Sequence, residues 1–223
     1  MRTETIPVVV VGGGSAAFEG RVGAKQAGAP RVVMLEKAPE PEFGGNARFS
    51  HTGFRWVFSG ADEVRRFLPK LDDQTFQKLH LPAYSAEQFT ADLQRVTRGR
   101  INKELADVMV EQSNAAMHWM RELGNKWEID SHVMIDGRYY FEPGLVIHPV
   151  GGVGGGLGQL MQWREIATRM DIEIRYESRV KQSIGNDRRM EGVAVSDANE
   201  EYEIRTRSLI LCAGGFQANP EMR

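Results

Sequence analysis

Gly12, Gly14 and Ala17 follow an apolar run of four valines at 8 to 11 with the spacing G-x-G-x-x-A. The first glycine permits a tight turn, the second lets backbone approach a diphosphate, and the small third residue allows a helix to pack closely on the strand. N–H groups at the start of that helix would face the phosphates. Glu36 closes a second apolar run, where a carboxylate can accept hydrogen bonds from the two hydroxyls of an adenosine ribose. The chemistry this spacing offers is the grip on an adenine dinucleotide.

The elements that must position these residues are a strand in IPVVVV, a helix in SAAFEGRVGAKQAG ending near Gly28, and a strand in RVVMLEK. Continuous valines suit a parallel strand covered on both faces. The helix carries Glu19, Gly20, Arg21 and Gly23 where packing residues are expected, and each mid-helix glycine costs about 1 kcal/mol relative to alanine. The Glu19 carboxylate, close to bound phosphates, would repel them.

Residues 1–56 form this βαβ dinucleotide unit, 57–150 a mainly helical insertion, and 151–223 a return to the same domain. In the insertion, Leu105, Val108, Met109, Ala115, Ala116, Trp119, Met120 and Leu123 recur at helical steps before Gly124, which predicts an amphipathic helix with that stripe in the core. Asp136-Gly137 signals a hairpin turn. A second glycine-rich approach to a helix, GGVGGGLGQL, precedes short strands in IEIRYES, RVKQSIG, MEGVAVS, YEIRTR and SLILCAGG, read as a small antiparallel meander returning to a buried strand.

The net charge of −2, spread without a basic stripe, argues against nucleic acid and against a polybasic membrane patch. No apolar run approaches the roughly 20 residues of a spanning helix. An opening strand leaves no secretory signal, so the expectation is cytoplasmic, and the single Cys212 is read as a small buried core residue. HExxH, GxSxG and paired metal-ligand spacings are missing from the sequence, so no metal is expected and no catalytic residue is assigned. His80, His118 and His132 read as surface or satisfied residues. His51 and His148 are candidates to touch a cofactor or substrate.

The choice of dinucleotide turns on EKAPEPEFGGNARFSHTGFRW, because a nicotinamide-binding unit has no general need for a glycine pair just after the ribose acid. With GGVGGGLGQL and LILCAGGFQANPEMR, the sequence resembles the fumarate reductase and succinate dehydrogenase flavoprotein superfamily, with its nearest likeness to the tricarballylate dehydrogenase group. The resemblance implies an α/β, Rossmann-like FAD-binding domain: a parallel sheet with helices plus a small antiparallel meander. It implies that Gly12, Gly14, Ser15 and Ala16 cradle the diphosphate and that Glu36 and Lys37 bracket the adenosine. Gly44, Gly45, Asn46 and Ala47 would follow the ribityl chain and flavin, and Thr52 and Gly53 would face the reactive ring edge. Val180 would offer backbone to the adenine, while Ala213, Gly214 and Gly215 close over the cofactor. Asn46 stands where covalently flavinylated relatives carry their histidine, so FAD is expected to be noncovalent.

The resemblance also implies a capping domain after the AGGF stretch. The expectation is therefore an incomplete FAD domain lacking that cap, whether as a truncation, a chain completed by another, or a degenerate relative. Groups that bind carboxylates and move protons would lie beyond Arg223. The activity implied is FAD-dependent oxidation or reduction of a CH–CH bond in a small polycarboxylate such as tricarballylate, with an iron–sulfur and haem electron-transfer partner. Two alternatives stay open: a non-catalytic dinucleotide-binding fragment, and a NAD(P)-dependent oxidoreductase.

Overall fold

The computed structural model describes residues 2–51, 53–130, 133–150, 155–186, 189–217 and 219–223. The chain divides into two compact units, Met1–Ser50 with Leu160–Arg223, and His51–Gln159.

In the first unit a parallel sheet has the order Ser208–Leu211, Val8–Val11, Val32–Leu35, Glu173–Arg175. A second sheet has the order Arg2–Thr5, Glu201–Arg205, Arg189–Ser196, Arg179–Asn186, antiparallel except for the parallel pairing of Arg2–Thr5 with Glu201–Arg205. Side chains alternate across a strand. One set, Val9, Val11, Val33 and Leu35, joins Ile6, Val193, Val195, Tyr202 and Ile204 in a core between the two sheets. On the other face, Met34 meets the helix Ser15–Gln26, which buries Ala17, Phe18, Arg21 and Val22. Burial on both faces is why these strands read as unbroken valine runs.

Three sequence expectations are corrected here. The opening segment is two strands rather than one: Arg2–Thr5 belongs to the meander sheet, and the chain crosses at Ile6 and Pro7 into Val8–Val11. The strand in IEIRYES is the edge of the parallel sheet, not part of the meander. Ser208–Leu211 is the opposite edge, with Leu211 71% exposed, and Cys212 is half-buried rather than core. Apolar content marks a strand but carries no information about which neighbour it pairs with.

The second unit is built on aromatic packing: Trp56 lies 5.0 Å from Phe58 and 5.8 Å from Phe67, and Phe67 meets Trp127 edge-on at 5.4 Å. Ser85 and Gln88 form a capping box on the helix Ala86–Thr97, and Asn102 caps Lys103–Glu122. The predicted stripe on Lys103–Glu122 is corrected. Ala106, Val110, Met117 and Met120 are buried, whereas Leu105 and Val108 are 71% and 60% exposed. The reason is polar: Ser113 Oγ accepts from the Val57 N–H, Asn114 donates to the Val57 carbonyl and to Glu63, and His118 Nε2 lies 3.2 Å from Glu63 Oε1. A face chosen partly by hydrogen bonds is invisible to a count of apolar residues. The Asp136-Gly137 turn does join two short strands, Val133–Ile135 and Arg138–Tyr140, with positive φ at both residues.

Candidate dinucleotide-binding site

The site begins where Val8–Val11 ends. Gly12 N–H donates to the Leu35 carbonyl at 2.8 Å, which ties the bend to the neighbouring strand. Its φ is +113°, and a Cβ there would stand 2.2 Å from the Cys212 carbonyl oxygen and 3.3 Å from Ala213 Cα. Only glycine fits. Gly14 is the N-cap of Ser15–Gln26, its carbonyl accepting from Ala17 and Phe18, and no side chain among the described residues caps the helix. No acidic residue occupies the first turn. That leaves an uncapped, positively polarised helix end over exposed Ala16 and half-buried Ser15.

Glu36 is only 6% exposed and turns onto this bend. A Cβ at residue 13 would lie 2.2 Å from its Oε2. The other oxygen, Oε1, accepts from the Ala38 N–H at 2.7 Å. Its backbone is fixed too, the N–H donating to the Arg175 carbonyl and the carbonyl accepting from the Ser178 N–H, both at 2.9 Å. The fingerprint spacing does not count Gly13. A glycine run of three where two suffice was the available signal.

The second glycine pair adjoins the first. The Gly44 carbonyl oxygen lies 3.5 Å from the Cβ position of residue 14, and Gly44, at φ +114°, has Leu160 Cδ1 2.4 Å from its own. Gly45 and Asn46 are exposed and Ala47 half-buried in the 3-10 turn Gly45–Phe49. Thus Gly12, Gly13, Gly14, Glu36, Gly44 and Ala213 converge. Lys37, Gly214 and Gly215 are exposed nearby in sequence, with Gly215 set against its own neighbour Gln217. Val180 is half-buried, pairs with Val195 and packs on the inter-sheet core. Gly53 belongs to the second unit, beside Leu145 and Asp130; Thr52 lies outside the described residues, as do His132 and residues 151–154.

The charged stretch of the helix resolves into three different situations. Gly20 lies against the strand Ser208–Leu211: a Cβ would meet Ile210 Cγ2 at 3.3 Å, so this glycine permits close packing. Burial raises the Glu19 carboxyl above its ordinary range, and the residue lies beyond the first turn of the helix. Arg21 is fully buried.

In the second unit, His51 is exposed, with Nε2 3.5 Å from Oδ1 of the buried Asp130. Its ring lies 6.1 Å from that of His148, which stands opposite Glu128 in a two-stranded pairing. Among the described residues no group of three or more His, Cys, Asp or Glu could hold a metal, and no helix is long and apolar enough to cross a membrane.

A cradle in which Cβ atoms would strike backbone, an uncapped helix end and a retracted carboxylate at the end of the second strand together fit an adenine dinucleotide diphosphate. Comparison with known proteins agrees. A family model described as FAD binding domain matches residues 7–223. The chain is 28% identical over 225 residues to a probable fumarate reductase Ifc3 of Shewanella frigidimarina, covering 99% of this chain and 34% of that protein. It is 25% identical over 220 residues to a fumarate reductase (cytochrome) of Shewanella frigidimarina, covering 98% and 34%. Among solved structures, the open conformation of a flavocytochrome c3 fumarate reductase superposes with a TM-score of 0.75 at 28% identity, over 99% of this chain and 36% of that one. A 3-ketosteroid-Δ4-(5α)-dehydrogenase from Rhodococcus jostii shares the fold, with a TM-score of 0.73 at 19% identity over 98% and 48%. The chain spans about a third of the length of the curated relatives named here.

Proposed function

This chain belongs to the FAD-binding domain family, in the fumarate reductase and succinate dehydrogenase flavoprotein superfamily, and on that premise we propose that it is the cofactor-holding part of an FAD-dependent oxidoreductase acting on the CH–CH bond of a small polycarboxylate. The observation that carries the reading is the convergence of Gly12, Gly14 and Gly44 with a Glu36 carboxylate folded onto Gly13. When bound, FAD supplies the two-electron acceptor for such a bond.

The work of this chain's residues is to hold and orient. The uncapped turn at Gly14, Ser15 and Ala16 offers N–H donors to the diphosphate, and Glu36 with Lys37 holds the adenosine. Gly44 to Ala47 follow the ribityl chain, and Val180, Ala213, Gly214 and Gly215 complete the enclosure. Asn46 occupies the place of an attachment histidine, which supports noncovalent binding. The reading takes tricarballylate as the first substrate to try, with fumarate and succinate beside it. An electron-transfer partner bearing iron–sulfur or haem centres is part of the same proposal, supported by the likeness to a cytochrome-type fumarate reductase.

The test is anaerobic. Protein reconstituted with FAD is mixed with tricarballylate or succinate, and after reduction with dithionite and removal of excess, with fumarate. Bleaching of the flavin band by a saturated polycarboxylate, or its return with fumarate, supports the proposal. A chain that takes up no FAD contradicts it, whereas a bound flavin that stays oxidised with every polycarboxylate is the result expected where the carboxylate-binding groups are not on the same chain.

A further inference from the structure

Arg21 is the one fully buried charged residue in the helix that carries the phosphate turn. A cation out of water is ordinarily paired with a carboxylate. Here Arg21 Nη1 donates to Met34 Sδ at 3.4 Å and Nη2 to the Trp163 carbonyl at 3.3 Å, while Nε has no partner. Among the described residues no carboxylate forms an ion pair with it. Its guanidinium carbon lies 3.7 Å from the ring centroid of Phe18, three residues earlier. Helical side chains lean toward the N-terminus, and stacking on residue i−3 carries the charge about one turn back toward Gly14. Residues 15 and 21 are separated by about 9 Å along the axis. The charge is thereby drawn from residue 21 toward the N-terminal half of the helix, in a buried layer where Coulomb attraction is weakly screened. Burial brings its pKa down to about 9, which leaves it cationic at neutral pH, with the Tyr176 phenol, its hydroxyl buried, acting on it in the opposite direction.

We propose that Arg21 is a buried positioning residue for the ligand's diphosphate: unpaired within the protein and drawn back over Phe18, its charge reinforces the helix field at the Gly12–Ala16 turn. This rests on the reading of that turn as the diphosphate site. It also explains how an isolated interior cation is tolerated, because its compensating anion arrives with the ligand.

The test separates phosphate from adenosine. ADP and adenosine are titrated by calorimetry against the full chain and against Arg21→Met and Arg21→Lys. The expected result is an ADP Kd raised about tenfold by Arg21→Met, equivalent to about 1.4 kcal/mol, with adenosine unchanged and most of the loss recovered by Arg21→Lys. Equal weakening of both probes, or no change in either, overturns the proposal. If the unmodified chain binds neither ADP nor FAD, it is the reading of the turn that fails instead.

Discussion

The Glu36 carboxylate occupies the space a side chain at Gly13 would need, with Oε2 2.2 Å and Cγ and Cδ each 2.9 Å from the Cβ position. The two residues are therefore one device: an extra glycine in the bend lets the acid at the end of the second strand fold back over it. Gly13→Ala is expected to displace the carboxylate and weaken FAD about tenfold, near 1.4 kcal/mol. Some stability should be lost with it, because the displaced side chain is buried and gives up its hydrogen bond from the Ala38 N–H. Quenching of flavin fluorescence during titration measures the affinity, and an unchanged value would show that Glu36 does not hold the ligand.

Gly12→Ala should behave differently, because the obstruction is backbone. The new Cβ would meet the Cys212 carbonyl oxygen at 2.2 Å in a residue held at φ +113°. Strain at that dihedral and forced separation from the 208–213 segment add to a loss of about 3 kcal/mol or more. Urea unfolding with FAD omitted provides the check, and a midpoint equal to that of the parent protein would contradict it.

Removing the buried cation should stabilise the ligand-free protein. Arg21→Met keeps the helix propensity and much of the volume while removing a desolvated charge that has no carboxylate beside it. The expected gain is about 1–2 kcal/mol in unfolding free energy without FAD. Thermal or urea denaturation of the FAD-free variant reads this directly, and a destabilised variant would mean that the packing around Phe18 and Met34 needs the guanidinium.

Acid should loosen the seam between the two sheets of the first unit. Arg175 grips both oxygens of Glu4 at 2.8 and 2.9 Å, Arg31 donates to Glu4 and to Glu173, and Arg175 Nε donates to Glu173 at 2.6 Å. The Arg175 hydrogen bonds hold the Glu4 carboxyl at about 2 against the opposing effect of desolvation, below its ordinary 4.5. A depressed folded value means that the stabilisation is complete above about pH 4.5 and is lost as pH falls toward 2. Unfolding free energies measured across that window should drop less steeply for Glu4→Gln than for the parent, and parallel curves would remove Glu4 from the seam.

How much of this is legible in the sequence depends on whether a feature is local. The strand–helix–strand unit, the helix stop at Gly28 and the hairpin at Asp136-Gly137 follow from residue type and spacing, and each is present. The features that escape are those decided by distant partners. Nothing in RTET says that it will lie beside Glu201–Arg205, or in IEIR that it will pair with Val32–Leu35. The helix Lys103–Glu122 turns Ser113, Asn114 and His118 toward Val57 and Glu63 because those groups bond there, so its face is rotated from the one its apolar residues suggest. In the site, Gly12, Gly14 and Glu36 are visible as a spacing. Gly13 and Arg21 acquire meaning only from what stands against them in three dimensions.

The central claim is that the glycine bend and Glu36 hold the diphosphate and ribose of an adenine dinucleotide, so that the adenosine half supplies much of the affinity. Parallel titrations of the purified, flavin-free chain with FAD and with FMN test it most directly. FAD should bind at least a hundredfold more tightly than FMN and should be recovered intact in the supernatant after acid precipitation. Equal affinity for the two flavins, or no binding of either, would contradict the account.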